Sequence, residues 1–349
     1  MTAPRKLGYL VPQFPGQTHI FFWREILELE RRGVEPVLFS TLPPPPGLIA
    51  HDWSDEAAAR TDYLGRISLL DLVAALPALP WGRLLRRGRR EKLQFWKDVL
   101  ITAGPARALA RRCRAEGIGH VHAHSCGRAA LIAALGHAMG GPPYSLTLHG
   151  PLADYGPGQQ FKWSGAEFTT VITRKLIAEM QADLPEALPE RIMLQPMGVD
   201  TDRMSRDTPY APAMPDGPVR LFCCARLNVV KGYEDLLAAV AKLRDEGRLV
   251  TLRIAGEDDA GGTGYRKTLE ARIREQGLGD AVTLLGAIDA DAVRSELLSA
   301  HIFVLASFGE PLGVAYMEAM SCEVPTIGTN AGGVPELITD GQDGRLVPP

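Results

Sequence analysis

Residues 302–320 read IFVLASFGEPLGVAYMEAM. The apolar run Ile302–Ala306 has the length of a buried strand, Ser307–Pro311 is a glycine-bearing loop, and a helix is expected over Leu312–Ser321. A strand that passes through a short loop into a helix is the repeating unit of a parallel sheet covered by helices. The loop also carries chemistry. Backbone N–H groups at a helix start lack intrahelical partners, and the macrodipole adds to their attraction for a diphosphate. Glu310 stands just before the helix and Glu318 two turns into it, so both can point along one face. Carboxylates so placed suit the hydroxyls of a sugar and a ribose. Taken alone, the same two residues read equally well as a helix N-cap and a solvated helix position.

The alternation continues outward on both sides. Up to residue 207, strands are expected near Leu7–Val11, Val34–Ser40, Ile118–Ala123, Tyr144–Leu148, Phe168–Ile172 and Ile192–Gln195. Helices are expected at Thr18–Arg32, Leu93–Glu116, Arg128–Met139 and Lys175–Asp183. Thr208–Pro218 (TPYAPAMPDGP) holds four prolines and a glycine and reads as a linker. Beyond it, strands at Arg220–Cys224, Val250–Ala255, Ala281–Leu284 and Val324–Gly328 join Ile302–Ala306, with helices at Glu234–Arg244, Tyr265–Gln276 and Ala290–Ser299. A chain of 349 residues exceeds what one core usually supports. The reading is therefore α/β with two domains, 1–207 and 219–349, joined by 208–218. Ligands of such sheets are expected beyond the strand C-terminal ends. Gly344–Pro349 reads as a strand entering a loop with no closing helix, so the second domain is expected to be incomplete at its C-terminal end.

Composition is that of a globular protein, with 46% hydrophobic and 23% charged residues. The net charge of −3 hides an asymmetry: residues 1–210 carry 25 Lys and Arg against 21 Asp and Glu, while residues 211–349 carry 13 against 20. A basic first half suggests an anionic neighbour. Aromatic residues do not interleave with the basic ones and no nucleic-acid motif appears, so nucleic acid is not expected. A phosphate-bearing substrate or a membrane surface fits better. Within Ile67–Ile101, apolar Leu69–Trp81 leads into Arg83, Arg86, Arg87, Arg89, Arg90 and Lys92. That pattern suits an amphipathic element on anionic lipid, and equally a solvated basic helix with one buried face. Cys113, Cys126, Cys223, Cys224 and Cys322 show no framework spacing, and no signal peptide or membrane-spanning run is evident. The expected location is the cytoplasm, peripheral on the inner face of the cytoplasmic membrane.

Further candidates lie at strand ends. Ala225–Gly232 (ARLNVVKG) follows the opening strand of the second domain. Arg226 and Lys231 can stabilise the charge of a leaving diphosphate, or stand as surface cations. His149 closes a strand in L-H-G, where a lone histidine is more often structural. Asp200-Thr201-Asp202 and Asp289-Ala290-Asp291 spell D-x-D, but the first lies where the first domain runs into the linker and the second reads as a helix cap, so neither is expected to bind a metal. His120, His122 and His124 share one strand face without a fourth ligand for zinc. No G-x-G-x-x-G follows either opening strand, which argues against a dinucleotide dehydrogenase.

Together these motifs resemble the retaining glycosyltransferases of the GT-B fold, family 4 type (group 1), to which many bacterial exopolysaccharide and lipopolysaccharide sugar transferases belong. Glu310 and Glu318 match that family's Glu-x7-Glu. Arg226, Leu227, Lys231 and Gly232 match its G-R-L-x3-K-G loop, with Ala225 in place of the first glycine. Met197–Asp202, Ile254–Gly256, Leu284–Gly286 and Gly332–Glu336 match further runs, so the resemblance covers nearly the whole chain. Pro15–His19 (PGQTH) departs from the glycine-rich first loop of many members. The resemblance implies two facing Rossmann-like domains, with acceptor binding in the first and donor binding in the second. It places Glu310 on the transferred sugar, Glu318 on the ribose, and Arg226 and Lys231 on the diphosphate. Backbone groups at Gly286 would face the base, those at Gly313 and Val314 the phosphates, and His149 the donor sugar. Gly16, Gln17 and His124 are the candidates for the acceptor side. The implied partners are a UDP- or GDP-sugar donor and a glycan or polyprenyl-linked acceptor, with no metal and no separate cofactor. A sugar-nucleotide epimerase and a non-catalytic sugar-nucleotide-binding protein are the alternatives on the same architecture.

Overall fold

A computed structural model describes residues 5–44, 51–65, 69–89 and 91–349. The chain forms two compact units. The first holds residues 5–44 and Asp55–Pro196, the second residues 51–54 and Met197–Pro349.

The first unit runs β1 (Arg5–Gln13), α1 (Ile20–Arg31), β2 (Val34–Leu42), α2 (Ser54–Arg60), β3 (Thr61–Tyr63), α3 (Leu69–Ala75), α4 (Trp81–Gly88) and α5 (Leu93–Glu116). It continues with β4 (Val121–His124), α6 (Arg128–Ala138), β5 (Tyr144–Leu148), α7 (Gln159–Trp163), β6 (Ala166–Val171), α8 (Arg174–Asp183) and β7 (Arg191–Leu194). The sheet is parallel throughout, in the order β3-β2-β1-β4-β5-β6-β7. Strand order reverses between β1 and β4, the place where open α/β sheets leave a crevice. The central strands β4 and β5 are buried at every position, as strands covered on both faces must be. Helix α5 keeps its course through Gly104 and Pro105 and ends where Gly117 turns left-handed, with a φ of 70°. The small residues let α6 approach closely: a Cβ at Gly136 would sit 3.1 Å from the Ala106 carbonyl oxygen.

The second unit runs β8 (Val219–Cys224), α9 (Tyr233–Asp245), β9 (Val250–Ala255), α10 (Tyr265–Glu275), β10 (Val282–Gly286), α11 (Ala290–Ser299), β11 (Ile302–Val304), α12 (Val314–Ser321), β12 (Thr326–Thr329) and β13 (Arg345–Val347). Its parallel order is β10-β9-β8-β11-β12-β13, with the reversal between β8 and β11. Phe222, Phe303 and Tyr316 pack ring to ring in the core. Tyr316 also donates to the Leu305 carbonyl at 2.7 Å, which ties α12 to the strand end beside it. One face of this sheet lines a groove of about 1190 Å³, bounded by Val219, Leu221, Ile302, Val304, Ile327 and Val347.

The residues just before the boundary expected at 207, from Met197 on, pack with the second unit. Met204 is fully buried in the second core, Arg206 donates to the Cys322 and Leu298 carbonyls, and the Tyr210 hydroxyl donates to the His301 carbonyl. Residues expected to close the first domain, and the start of the expected linker, are packed onto the second. Their prolines signalled irregular backbone correctly, but irregular backbone can be anchored by side chains the local pattern does not reveal.

Candidate functional site

In the second unit the candidate residues follow the carboxyl ends of β8 and β11, except Gly286, which ends β10. Beyond β8, the Asn228 side chain accepts from the Val230 N–H at 3.1 Å and caps the 3-10 turn Val229–Lys231. Gly232 then turns left-handed at a φ of 66°, and a Cβ there would collide with the Ala306 carbonyl. Only glycine lets this loop settle on the end of β11. The Phe308 N–H donates to the Val230 carbonyl at 2.9 Å and joins the two loops.

Lys231 and Glu310 meet across that junction. Lys231 Nζ lies 2.5 Å from Glu310 Oε2, and the side chains are only 13% and 14% exposed. The Ser307 hydroxyl donates to the same carboxylate oxygen at 3.2 Å. The backbone of Glu310 is held as well, its carbonyl accepting from the Gly333 N–H at 2.8 Å. A Cβ at Gly332 would collide with the Glu310 backbone, which explains a glycine there at a φ of 61°. Helix α12 begins after Gly313, a left-handed residue at a φ of 100°, and no side chain caps it. A carboxylate, an ammonium and an uncapped helix start thus stand within one loop junction.

The remaining candidates of this unit fall into three settings. Glu318 faces inward on α12 and is 7% exposed. Its charge adds to burial in raising the thiol of Cys224, at the end of β8. Arg226 points outward, 47% exposed, and lies 3.8 Å from Asp259. The structure therefore pairs Lys231, but not Arg226, with Glu310. Gly286 ends β10 in the left-handed region, its carbonyl accepting from the Gly256 N–H at 2.8 Å. Beside it lie Glu257 and Arg266, ion-paired at 2.8 Å, with Arg266 also donating to the Leu284 carbonyl. Sequence reading passed over this pair, although Glu257 directly follows the Ile254–Gly256 run.

The first aspartate of each D-x-D motif is engaged with backbone, and Asp291 pairs with Arg203 at 2.8 Å. Asp200 accepts from the N–H groups of Asp202 and Arg203, and Asp289 caps α11 by accepting from Ala292. Asp258, 3% exposed, accepts from the N–H groups of Ala260, Gly262, Gly264 and Arg266. Burial opposes its ionisation, but the four donors outweigh it and hold the carboxyl below its usual value.

In the first unit the candidates converge on the β1–β4 reversal. His124 ends β4, His149 follows β5, and their rings meet through Nδ1 of His124 and Nε2 of His149 at 3.1 Å. Phe22 of α1 stands edge-on to both, at 4.8 and 5.3 Å between ring centroids. Gly16 lies in the loop after β1, where a Cβ would be 2.7 Å from Nδ1 of His19. His19 in turn packs on Phe22 at 5.1 Å, so the Pro15–His19 loop belongs to this cluster. Gln17 sits half-buried in the same loop. Burial depresses His149 and His122 to about 3 and His124 well below its usual value, so all three rings are neutral near pH 7.

Tyr9 and Glu25 complete the cluster, and sequence reading missed both. The Tyr9 hydroxyl donates to Glu25 Oε2 at 3.0 Å, and the same oxygen lies 3.8 Å from His124 Nε2. Ligand atoms of Glu25, His122 and His124 fall within 4.8 Å of one another. Both ring nitrogens of His122 are already engaged, with the hydroxyls of Ser145 and Thr147 at 2.7 Å, so binding a cation there would break one of these bonds. His120 turns to Ser145 and Glu167. His120 and His122 thus share the Ser145 hydroxyl, and His124 alone of the three reaches His149.

Two family models match the chain: Glycosyltransferase Family 4 over residues 21–203, and Glycosyl transferases group 1 over residues 207–349. A 166-residue stretch is 31% identical to a putative colanic acid biosynthesis glycosyltransferase, WcaL, of Salmonella typhimurium, covering 46% of this chain and 39% of that protein. A stretch of the same length is 32% identical to the GDP-mannose-dependent alpha-(1-6)-phosphatidylinositol monomannoside mannosyltransferase of Mycolicibacterium smegmatis, covering 44% and 42%. The chain thus matches less than half the length of these relatives. Among solved structures, Anabaena HepE in complex with UDP and glucose superposes with a TM-score of 0.71 at 17% identity, covering 99% of this chain and 86% of that one. At that identity the likeness is one of fold.

Proposed function

Because the chain belongs to glycosyltransferase family 4 and has the two-domain GT-B fold, we propose that it transfers a sugar from a nucleoside-diphosphate sugar to a lipid-linked or polysaccharide acceptor. The observation that carries this reading is the Lys231–Glu310 pair at the β8–β11 reversal, next to the uncapped start of α12. A helix start and a lysine suit a diphosphate. A carboxylate anchored at both its side chain and its backbone suits a sugar hydroxyl.

The residues take distinct roles in this reading. Lys231 and the N–H groups at Gly313 and Val314 receive the diphosphate, and Arg226 swings in from the surface as negative charge develops on the leaving nucleotide. Glu310 accepts from the transferred sugar, Glu318 from the ribose, and backbone around Gly286 meets the base. His149 contacts a hydroxyl of the donor sugar, with Gly16, Gln17 and His124 on the acceptor side. Transfer proceeds with retention at the anomeric carbon and without a metal ion; Asp200 and Asp289, the first residues of the two D-x-D motifs, are engaged with backbone N–H groups. The protein's contribution is orientation and electrostatic stabilisation of the departing diphosphate.

We also place the enzyme on the cytoplasmic face of a membrane. No helix among the described residues is long and apolar enough to cross one. Helix α4 and the residues after it expose Trp81, Leu85 and Leu93 beside Arg86 and Arg89, the mixture that interfacial binding uses. Arg83 is committed elsewhere, over the ring of Phe161 and against Ser164, and Arg90 lies outside the described residues.

The test is turnover of radiolabelled UDP- and GDP-sugars with lipid-linked acceptors, with and without EDTA. Transfer of label to the acceptor with the anomeric configuration kept, undiminished by EDTA, is expected. Acceptor-independent epimerisation, or loss of activity with EDTA, overturns the reading.

A further inference from the structure

A line of polar groups crosses the first unit from Tyr9 to His149. The Tyr9 hydroxyl donates to Glu25 Oε2, and this oxygen lies 3.8 Å from His124 Nε2. That nitrogen is sealed from solvent and has no hydrogen-bond partner among the described residues. On its other side His124 meets His149 through Nδ1 and Nε2, which leaves His149 Nδ1, also sealed and unpartnered among the described residues.

The protons on this line are not independent. A neutral imidazole has one N–H and one bare nitrogen. A bare lone pair on His124 Nε2 would face a carboxylate oxygen in apolar surroundings and be repelled, whereas an N–H there is attracted. An ionised Glu25 therefore selects the Nε2–H form of His124, whose Nδ1 becomes an acceptor. The 3.1 Å contact then requires the proton on His149 Nε2, and His149 Nδ1 is left bare. We propose that Glu25, acting through His124, is a positioning residue that fixes His149 in its Nε2–H tautomer, with Nδ1 left as the bare nitrogen.

The surroundings fit this role. Phe21 and Phe22 wall the His149 ring, and Tyr9 lies 4.4 Å from that of His124. Among the described residues, the other titratable groups acting on His124 are His19 ahead of α1 and His122 of β4, and His122 is held by Ser145 and Thr147. Burial of its carboxylate end raises Glu25 to about 7, although the side chain as a whole is 44% exposed. The line is therefore set above that pH. A kinetic effect of Glu25 depends on His149 contacting a sugar; the tautomer does not.

The experiment has two arms on the full chain. At pH 8, long-range 1H–15N correlation spectra of histidine-labelled protein should show both His124 and His149 as Nε2–H tautomers. Glu25→Ala should convert them to mixtures, and Glu25→Gln, whose amide oxygen still accepts, should restore them. In the kinetic arm, Glu25→Ala should lower kcat about 10- to 100-fold, the usual scale for an orienting partner, with a smaller change in donor KM. Glu25→Ala added to His149→Ala should cost nothing further. An Nδ1–H tautomer of His149 at pH 8, a tautomer unmoved by Glu25→Ala, or additive kinetic losses would overturn the inference. A chain that shows the expected tautomers but no sugar transfer would instead overturn the proposed function and leave the tautomer assignment standing.

Discussion

Replacing Lys231 by alanine separates the two things this residue does. Its ammonium lies against Glu310 with both side chains nearly covered, so removal leaves a poorly solvated carboxylate held, among the described residues, by the Ser307 hydroxyl. Breaking a fully buried pair in this way costs about 3–5 kcal/mol. The residual exposure of 13% and 14%, together with the Ser307 bond, brings the expectation to about 2 kcal/mol. For a unit of this size that is a fall in Tm of about 4–8 °C. Turnover should fall much further, several hundred-fold, if the same ammonium stabilises the leaving diphosphate by about 3–4 kcal/mol. Arg226 provides the contrast. Its exposed ion pair with Asp259 is worth about 0–1 kcal/mol, so Arg226→Ala should leave Tm in place while still lowering turnover more than donor affinity. Lys231→Met combined with Glu310→Gln removes both charges and should recover most of the Tm loss but none of the turnover. The assays are thermal unfolding and initial rates with saturating donor. Unchanged Tm and near-normal turnover in Lys231→Ala would show the pair to be an incidental surface contact and would refute the reasoning.

Three further outcomes are expected. Glu318→Ala should weaken binding of a free nucleoside diphosphate measured by calorimetry, whereas Glu310→Gln should chiefly lower kcat; equal effects on binding would erase the distinction between ribose and sugar contacts. Asp258 has a depressed pKa when folded, so its stabilisation is fully present above its unfolded value, about 4, and is lost as pH falls through the folded value. The Tm advantage of the wild type over Asp258→Asn should accordingly be constant above about pH 5 and vanish in stronger acid, and a gap that persists there would assign it to packing. Replacing Arg86, Arg87 and Arg89 by Gln should weaken sedimentation with phosphatidylglycerol vesicles and flatten its salt dependence, whereas unaltered binding would detach α4 from the membrane.

How much of this was legible in the sequence depended on how local each signal was. Tyr144–Leu148, Val250–Ala255, Leu93–Glu116 and Ala290–Ser299 fall where the pattern put them, because continuous apolar runs, helical spacing and caps are written in neighbouring residues. Thr61–Tyr63 was not foreseen; three residues on a sheet edge carry too little pattern to separate them from a loop. The Glu310 loop was legible because strand, glycine loop and helix start are contiguous. Its pairing with Lys231 spans 79 residues and follows only from the parallel order that sets β11 beside β8. Glu25 is the sharper case. It lies on α1 three residues after Phe22 and one before Ile26, both buried, a position that local sequence reads as the polar edge of an amphipathic helix. What makes it a partner of His124 is the register of β1 against β4, which pairs Tyr9 with His122 and so brings the Tyr9 hydroxyl, Glu25 and His124 together. The chemistry of a strand end can be read from the strand, whereas the proton held there is set by a helix that reaches it only through the topology of the sheet.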